Sequence, residues 1–140
     1  MKRRLFIKNS CAACASLIGA SWILEGCGSS LPMLKTAIAN NNTISVPISK
    51  FTPQNNMVIV RGAGMENDIL LIKKDNAYKA LYMKCTHEGI GLTATSTKLV
   101  CPAHGSLFDL EGNVLKEPAH IPLKQFAAKV ENENILIYLS

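Results

Sequence analysis

Two short segments of the chain carry residues suited to binding a metal. The first contains Cys85 and His87, and the second contains Cys101 and His104. Each segment therefore combines a thiolate, which is a soft anionic ligand, with a neutral imidazole, and both side chains are ligands for transition metals. Each segment also ends in a glycine, which lets the backbone wrap closely around a bound group. The four side chains therefore predict a metal centre.

The spacing of the four candidate ligands argues against two other kinds of site, a structural zinc site and a nucleophilic cysteine with a histidine base. Thirteen residues lie between His87 and Cys101, and each pair joins unlike ligands, as Cys-x-His and Cys-x-x-His. Structural zinc also accepts two cysteines and two histidines, but zinc fingers place like ligands together, with about two to four residues between cysteines. A nucleophilic cysteine with a histidine base would need only one pair and would leave the second without a role.

The two paired segments resemble the Rieske iron-sulfur signature. The resemblance implies one [2Fe-2S] cluster per chain, with Cys85 and Cys101 on one iron and His87 and His104 on the other. Because imidazoles replace two anionic thiolates, such a cluster is less negative and has a raised potential, about −150 to +300 mV. The resemblance also implies that the ligand histidines couple electron transfer to proton transfer through their second ring nitrogens.

Residues near the second segment are predicted to tune the cluster. Ser106, which follows Gly105, matches a family serine whose hydroxyl hydrogen-bonds a bridging sulfide, whereas Phe108 stands where high-potential members carry a tyrosine donor. Those members also have a disulfide between the two cluster loops, and this chain has Ile90 and Ala103 at the two positions. With the serine kept and the other two features lost, we expect an intermediate potential.

A third segment resembles the proline-containing loop that covers the cluster in this family. It spans residues 116–123 and includes Pro118, Ala119 and His120. His120 belongs to neither ligand segment, and we expect it to face solvent, with a tuning or partner role as the alternative.

The N-terminal residues have the pattern of an export signal. Arg3 and Arg4 precede Leu-Phe-Ile-Lys and an uncharged stretch that ends at Leu24. This order resembles a twin-arginine signal, and the alternatives are an ordinary basic signal peptide or a spanning helix. Cys11 and Cys14 are interpreted as small apolar residues of this stretch rather than a redox pair.

Cys27 follows Leu-Glu-Gly and resembles the lipidated cysteine of a bacterial lipoprotein. The residues that follow are rich in glycine, serine and asparagine, which is the composition of a tether. We therefore predict a signal peptide or membrane-anchor helix at residues 1–26, a flexible tether at 27–42, and a Rieske [2Fe-2S] domain at 43–140.

Of the net charge of +5, +3 belongs to the residues before Cys27. Four of the 15 basic residues lie in the first eight positions, and from Cys27 onward 11 basic residues face 9 acidic ones. No basic stripe interleaved with aromatic residues remains, so we predict no nucleic-acid partner.

From Thr43 onward the pattern predicts short strands. Ile44, Val46 and Ile48 alternate with other residues, and Pro47 indicates an edge position. Residues 57–60 predict a further strand, residues 68–73 and 77–84 predict a hairpin, and residues 126–130 and 135–139 predict another. No helical period of sufficient length follows Asn42. The predicted fold is all-β, an antiparallel sandwich of the Rieske type with an inserted cluster-binding subdomain.

The resemblance implies electron transfer in partnership with other proteins rather than an enzyme acting alone. The first hypothesis is the Rieske subunit of a quinol-oxidising cytochrome bc-type complex, with cytochrome b or c subunits and quinol as partners. The second is the small subunit of an arsenite-oxidase-like molybdenum enzyme, and the third is a free Rieske ferredoxin. The signal favours an exported protein on the periplasmic, outer face of the cytoplasmic membrane, anchored by lipid or by its signal.

Overall fold

Eleven strands make up the computed structural model, which describes residues 30–140. In chain order they are β1 (Met33–Thr36), β2 (Thr43–Pro47), β3 (Met57–Gly62), β4 (Ile69–Lys74), β5 (Ala77–Tyr82), β6 (Thr93–Ala94), β7 (Leu99–Val100), β8 (Leu107–Phe108), β9 (Val114–Lys116), β10 (Gln125–Glu131) and β11 (Asn134–Tyr138). One 3-10 turn, Ile48–Lys50, follows β2. The prediction of an all-β fold is confirmed.

Seven of these strands form the base of the domain, in the order β1-β3-β4-β5-β10-β11-β2. Neighbouring strands are antiparallel except β1 and β3, which are parallel. The predicted hairpins are β4–β5 and β10–β11, and β2 lies at an edge, as Pro47 indicated. The sheet curls over itself. The contact that shows this is between the Ile44 side chain on β2 and Gly62 at the end of β3, although the two strands are far apart in the strand order.

The other four strands, β6 to β9, form a small antiparallel sheet inserted between β5 and β10. The two predicted ligand segments flank this sheet's first two strands, since Cys85 follows β5 and Cys101 follows β7. The predicted inserted subdomain is therefore present.

Strand β4 explains how the two sheets are held together. Ile69 and Leu71 pack into a core inside the curled base, whereas Leu70 and Ile72 pack into a second core beneath the inserted sheet. Successive strand residues point to opposite faces, so a strand covered on both faces needs an unbroken apolar run. The second core also contains both predicted cysteine ligands, so the predicted metal centre would lie directly on it.

The N-terminal boundary differs from the prediction. Residues 27–42 were expected to form a flexible tether, but within them Met33–Thr36 form β1, paired in parallel with β3. Leu34 and Ile38 pack against the base core, and this apolar contact holds the segment to the edge of the sheet. Cys11, Cys14, Cys27 and the predicted signal lie outside the described residues. In residues 30–140 no helix has the length and hydropathy needed to cross a membrane.

The turn between β8 and β9 attaches the inserted sheet to the base. The carboxylate of Glu111 accepts hydrogen bonds from the ammonium groups of Lys74, at 3.0 Å, and Lys79. The side-chain amide of Gln125 donates to the Glu111 carbonyl at 2.9 Å. The Asp109 carboxylate shapes the turn by accepting the Glu111 N–H at 2.9 Å.

Acid is expected to weaken this attachment. Hydrogen bonds from Lys79 and Lys74 hold the pKa of Glu111 below its ordinary value of 4.5. A lowered pKa in the folded state means that the carboxylate stabilises the fold above its ordinary pKa and that this contribution is lost as the pH falls through the lower folded value. Glu111→Gln should therefore remove part of the acid sensitivity seen in urea midpoints measured across the acidic range.

The control is Glu133→Gln, because Glu133 is an exposed acid in the β10–β11 turn. It should leave the pH dependence unchanged. A Glu111→Gln variant with the same loss of stability in acid as the unsubstituted protein would contradict the prediction.

Candidate metal centre

The two predicted ligand segments fold into loops of matching geometry. In the first loop the Gly89 N–H donates to the Cys85 carbonyl at 2.8 Å, and in the second the Gly105 N–H donates to the Cys101 carbonyl at 3.0 Å. Both glycines have positive φ, +74° and +77°. Glycine adopts this conformation without the steric cost that a side chain brings. The Cys-x-x-x-Gly spacing shared by the two segments therefore produces the same turn twice.

The two cysteine side chains form the inner part of the site. Cys85 and Cys101 are each only 2% exposed and lie in the same core. Burial raises the pKa of the Cys85 thiol, and the neighbouring Cys101 thiol raises it further, whereas the His87 N–H lowers it by donating to the sulfur. A bound metal cation reverses this preference, because it favours thiolates. The arrangement provides two adjacent sulfur ligands shielded from water.

The two histidine side chains form the outer part of the site. His87 and His104 are exposed, with ring centroids 5.1 Å apart and ring planes at 83°. Glu88 is exposed beside them, and its carboxylate lies 3.6 Å from Nδ1 of His104. Ligand atoms of these three residues lie within 4.8 Å of one another. Sequence reasoning identified both histidines but missed Glu88, whose position depends on how the two loops approach each other.

The predicted covering segment is joined to both loops. The Ala119 N–H donates to Oγ of Ser106 at 3.0 Å, and the Thr86 hydroxyl donates to the Ile121 carbonyl at 2.6 Å. Ala119 is buried in the core that contains both cysteines, and Pro118 beside it follows a cis peptide bond. One hydrogen bond to each loop therefore holds the segment across the site.

Phe108 and His120, the remaining residues of the predicted site, lie in different surroundings. Phe108 is fully buried in the core that contains both cysteines, and its ring carries no hydrogen-bond donor. His120 is exposed, with Nδ1 3.7 Å from a carboxylate oxygen of Glu117. It therefore faces solvent and is not brought into the group formed by the other two histidines.

The buried Ser106 hydroxyl tests whether an iron-sulfur cluster suits this site. Ser106 is fully buried, and its oxygen accepts the Ala119 N–H. Its own proton has no acceptor among the polypeptide groups of residues 30–140. Buried polar hydrogens need an acceptor, and a bridging sulfide at the site would provide one. Adjacent sulfurs, adjacent imidazoles and a donor without an acceptor fit a cluster held by two cysteines and two histidines.

Comparison with known proteins agrees with this geometry. Residues 46–127, more than half of the chain, match the Rieske [2Fe-2S] domain. The cytochrome b6-f complex iron-sulfur subunit of Chlorobaculum thiosulfatiphilum is 31% identical over 74 residues, which cover 51% of this chain and 41% of the relative. Iron-sulfur subunit 1 of the same complex from Nostoc sp. (strain PCC 7120 / SAG 25.82 / UTEX 2576) is 30% identical over 99 residues, or 66% and 55% of the two chains.

The chain thus spans about half the length of these curated relatives. Among solved structures, it is similar to a chain of a hyperthermophilic respiratory Complex III, with a TM-score of 0.53 and 18% identity over 94% of each chain. That likeness confirms the fold.

The family match also agrees with the predicted cofactor, because the matching domain is named for its [2Fe-2S] cluster. On the sequence match and the paired loops together, the chain belongs to the Rieske [2Fe-2S] domain family.

Proposed function

We propose that this protein transfers single electrons as the Rieske subunit of a quinol-oxidising cytochrome bc-type complex. The observation that carries the proposal is the meeting of two matching loops, which place two buried thiols beside each other and two exposed imidazoles beside each other. In this assignment Cys85 and Cys101 would hold one iron, and His87 and His104 the other. When bound, the cluster supplies reversible one-electron oxidation and reduction.

The polypeptide contributes a different environment on each side of the site. On the cysteine side, Phe108, Ala119 and Leu99 exclude water. On the histidine side, the imidazoles reach solvent, so a partner can approach them and protons can be exchanged at their ring nitrogens. The Ser106 hydroxyl would donate to a sulfur of the cluster, and this hydrogen bond would stabilise added negative charge and raise the potential. Phe108 offers no second donor, which supports an intermediate potential.

Of the three hypotheses drawn from the sequence, the curated relatives support the bc-type complex. Both curated relatives are iron-sulfur subunits of cytochrome b6-f complexes. We therefore propose cytochrome b or c subunits as redox partners and quinol as the reductant.

The test is spectroscopy and analysis of the full chain purified from membranes. The protein should contain about two iron and two labile sulfide per chain, and the reduced sample should give a Rieske-type electron paramagnetic resonance spectrum. Within the isolated complex, a short-chain quinol should reduce this cluster. A chain that contains one zinc and no iron would contradict the cofactor assignment, whereas a cluster that quinol does not reduce would contradict only the assembly.

We also propose that residues 1–26 direct export to the outer face of the cytoplasmic membrane and that Cys27 carries the lipid anchor. The support is the paired Arg3-Arg4 before an uncharged stretch, together with the residues preceding Cys27. The proposed tether then ends where β1 begins, at Met33. Mass spectrometry of the mature chain tests this, since a chain that begins at acylated Cys27 supports it and one that retains Met1 contradicts lipidation.

A further inference from the structure

Glu88 stands out because its carboxylate lies close to both imidazoles. Its carboxylate is about half exposed and lies 3.6 Å from Nδ1 of His104. It also lies within ligand-atom distance of His87. Any protein that approaches the exposed imidazole edges closely enough for electron transfer must therefore also approach this carboxylate.

Glu88 is the single Asp, Glu, Lys or Arg in the three segments that meet at the site, residues 85–90, 101–106 and 118–122. The lysines that flank these segments have other contacts. Lys84 pairs with Glu66 at 2.7 Å, and the Lys124 ammonium lies over a phenyl ring at 4.8 Å. Lys116 and Glu117, which begin the covering segment, carry opposite charges. The one carboxylate within the three segments is therefore that of Glu88.

The three segments also expose apolar side chains. Ile90 is 41% exposed and Ile121 is 64% exposed, and they are two of the few large hydrophobic side chains exposed in residues 30–140. Pro102 and Ala103 are also exposed, between the ligands of the second loop. We call the surface formed by these four residues and Glu88 the cluster face. An exposed apolar surface of this kind is typical of a protein interface.

The charge on this face restricts the partner. A protein that covers the cluster face removes water from Glu88. Burying this carboxylate is costly unless the partner places an opposite charge against it. We propose that the cluster face selects redox partners that present a basic side chain to Glu88, and that this carboxylate steers cationic partners to the imidazoles. This inference rests on the proposed function, since it concerns the same site.

The test measures the oxidation of the reduced, cluster-loaded full chain by stopped flow. Two complex ions serve as small oxidants, hexaammineruthenium(III), which is a cation, and hexacyanoferrate(III), which is an anion. Each takes one electron from the reduced cluster and becomes the ruthenium(II) or iron(II) complex. A lysine-rich cytochrome c serves as the protein oxidant. At an ionic strength of about 10 mM, Glu88→Gln should slow the cationic complex and the cytochrome by about 3-fold and speed the anionic complex by a similar factor. At about 0.5 M salt these differences should disappear.

Glu133→Gln is the matched control, because it removes one exposed carboxylate from a turn outside the three segments, and it should leave all three rates unchanged. The midpoint potential of each variant is measured so that rates are compared at equal driving force. Rates that change in the same direction for both complex ions, or do not change, would overturn the inference. A Rieske spectrum in both variants keeps this outcome separate from the cofactor assignment, which fails if the unsubstituted chain lacks the cluster.

Discussion

Replacing Cys101 by serine, or His104 by alanine, is expected to abolish cluster binding. Cys101 is buried beside Cys85, so its replacement leaves one buried sulfur where the site needs two. His104 is one of two adjacent exposed imidazoles, and in the proposed assignment its loss would leave the outer iron with one protein ligand. Because neither loop offers another cysteine or histidine, no neighbouring side chain replaces the lost ligand. Iron and sulfide content and the visible absorption of the reduced and oxidised protein measure this.

The two variants together separate loss of the cluster from loss of the fold. A serine at position 101 puts a hydroxyl into an apolar core, which costs about 1–3 kcal/mol if it finds no partner. His104 is exposed, so its replacement removes a ligand without disturbing packing. Ala103→Ser introduces the same hydroxyl at an exposed position of the same loop and should retain the cluster. Full iron and sulfide in the His104→Ala protein would remove His104 from the ligand set.

The strands of the base were predictable because each is marked by a run of apolar residues, either alternating or continuous. In β4 the run Ile69 to Ile72 is apolar at every position, and the structure shows both faces covered. The β4–β5 and β10–β11 hairpins follow from polar residues between apolar runs. The ligand segments were equally visible, since Cys-x-x-x-Gly closes each loop by contacts within five residues.

The features missed by sequence reasoning depend on distant parts of the chain. Strand β1 has four residues, and it is ordered by pairing with β3 rather than by its own pattern. Strands β6, β7 and β8 have two residues each, too few to show a period. The contact between Ser106 and Ala119 joins residues 13 apart, and that between Thr86 and Ile121 joins residues 35 apart. No local sequence pattern predicts hydrogen bonds between residues so far apart. The loops were therefore predictable, but the hydrogen bonds that attach them to the covering segment were not.

Ser106→Ala is expected to lower both the stability of the covering segment and the potential of the cluster. The substitution leaves the buried Ala119 N–H without its acceptor, which costs about 1–3 kcal/mol. It also removes the hydroxyl proton that is free to donate to a sulfur. A hydrogen bond to a charged group contributes about 1.5–3 kcal/mol, which for a one-electron couple corresponds to an upper limit of about 65–130 mV. Denaturant unfolding and a redox titration followed by circular dichroism measure the two effects.

Thr86→Val separates the two roles of the serine. It removes the other hydrogen bond to the covering segment, from Thr86 to the Ile121 carbonyl, and leaves the Ser106 hydroxyl in place. If the hydroxyl acts as a donor to the cluster, the threonine variant should lose stability while keeping its potential, and only the serine variant should lose both. Equal decreases of potential in the two variants would show that the position of the covering segment sets the potential. An unchanged potential in Ser106→Ala would show that the buried hydroxyl serves only to hold Ala119.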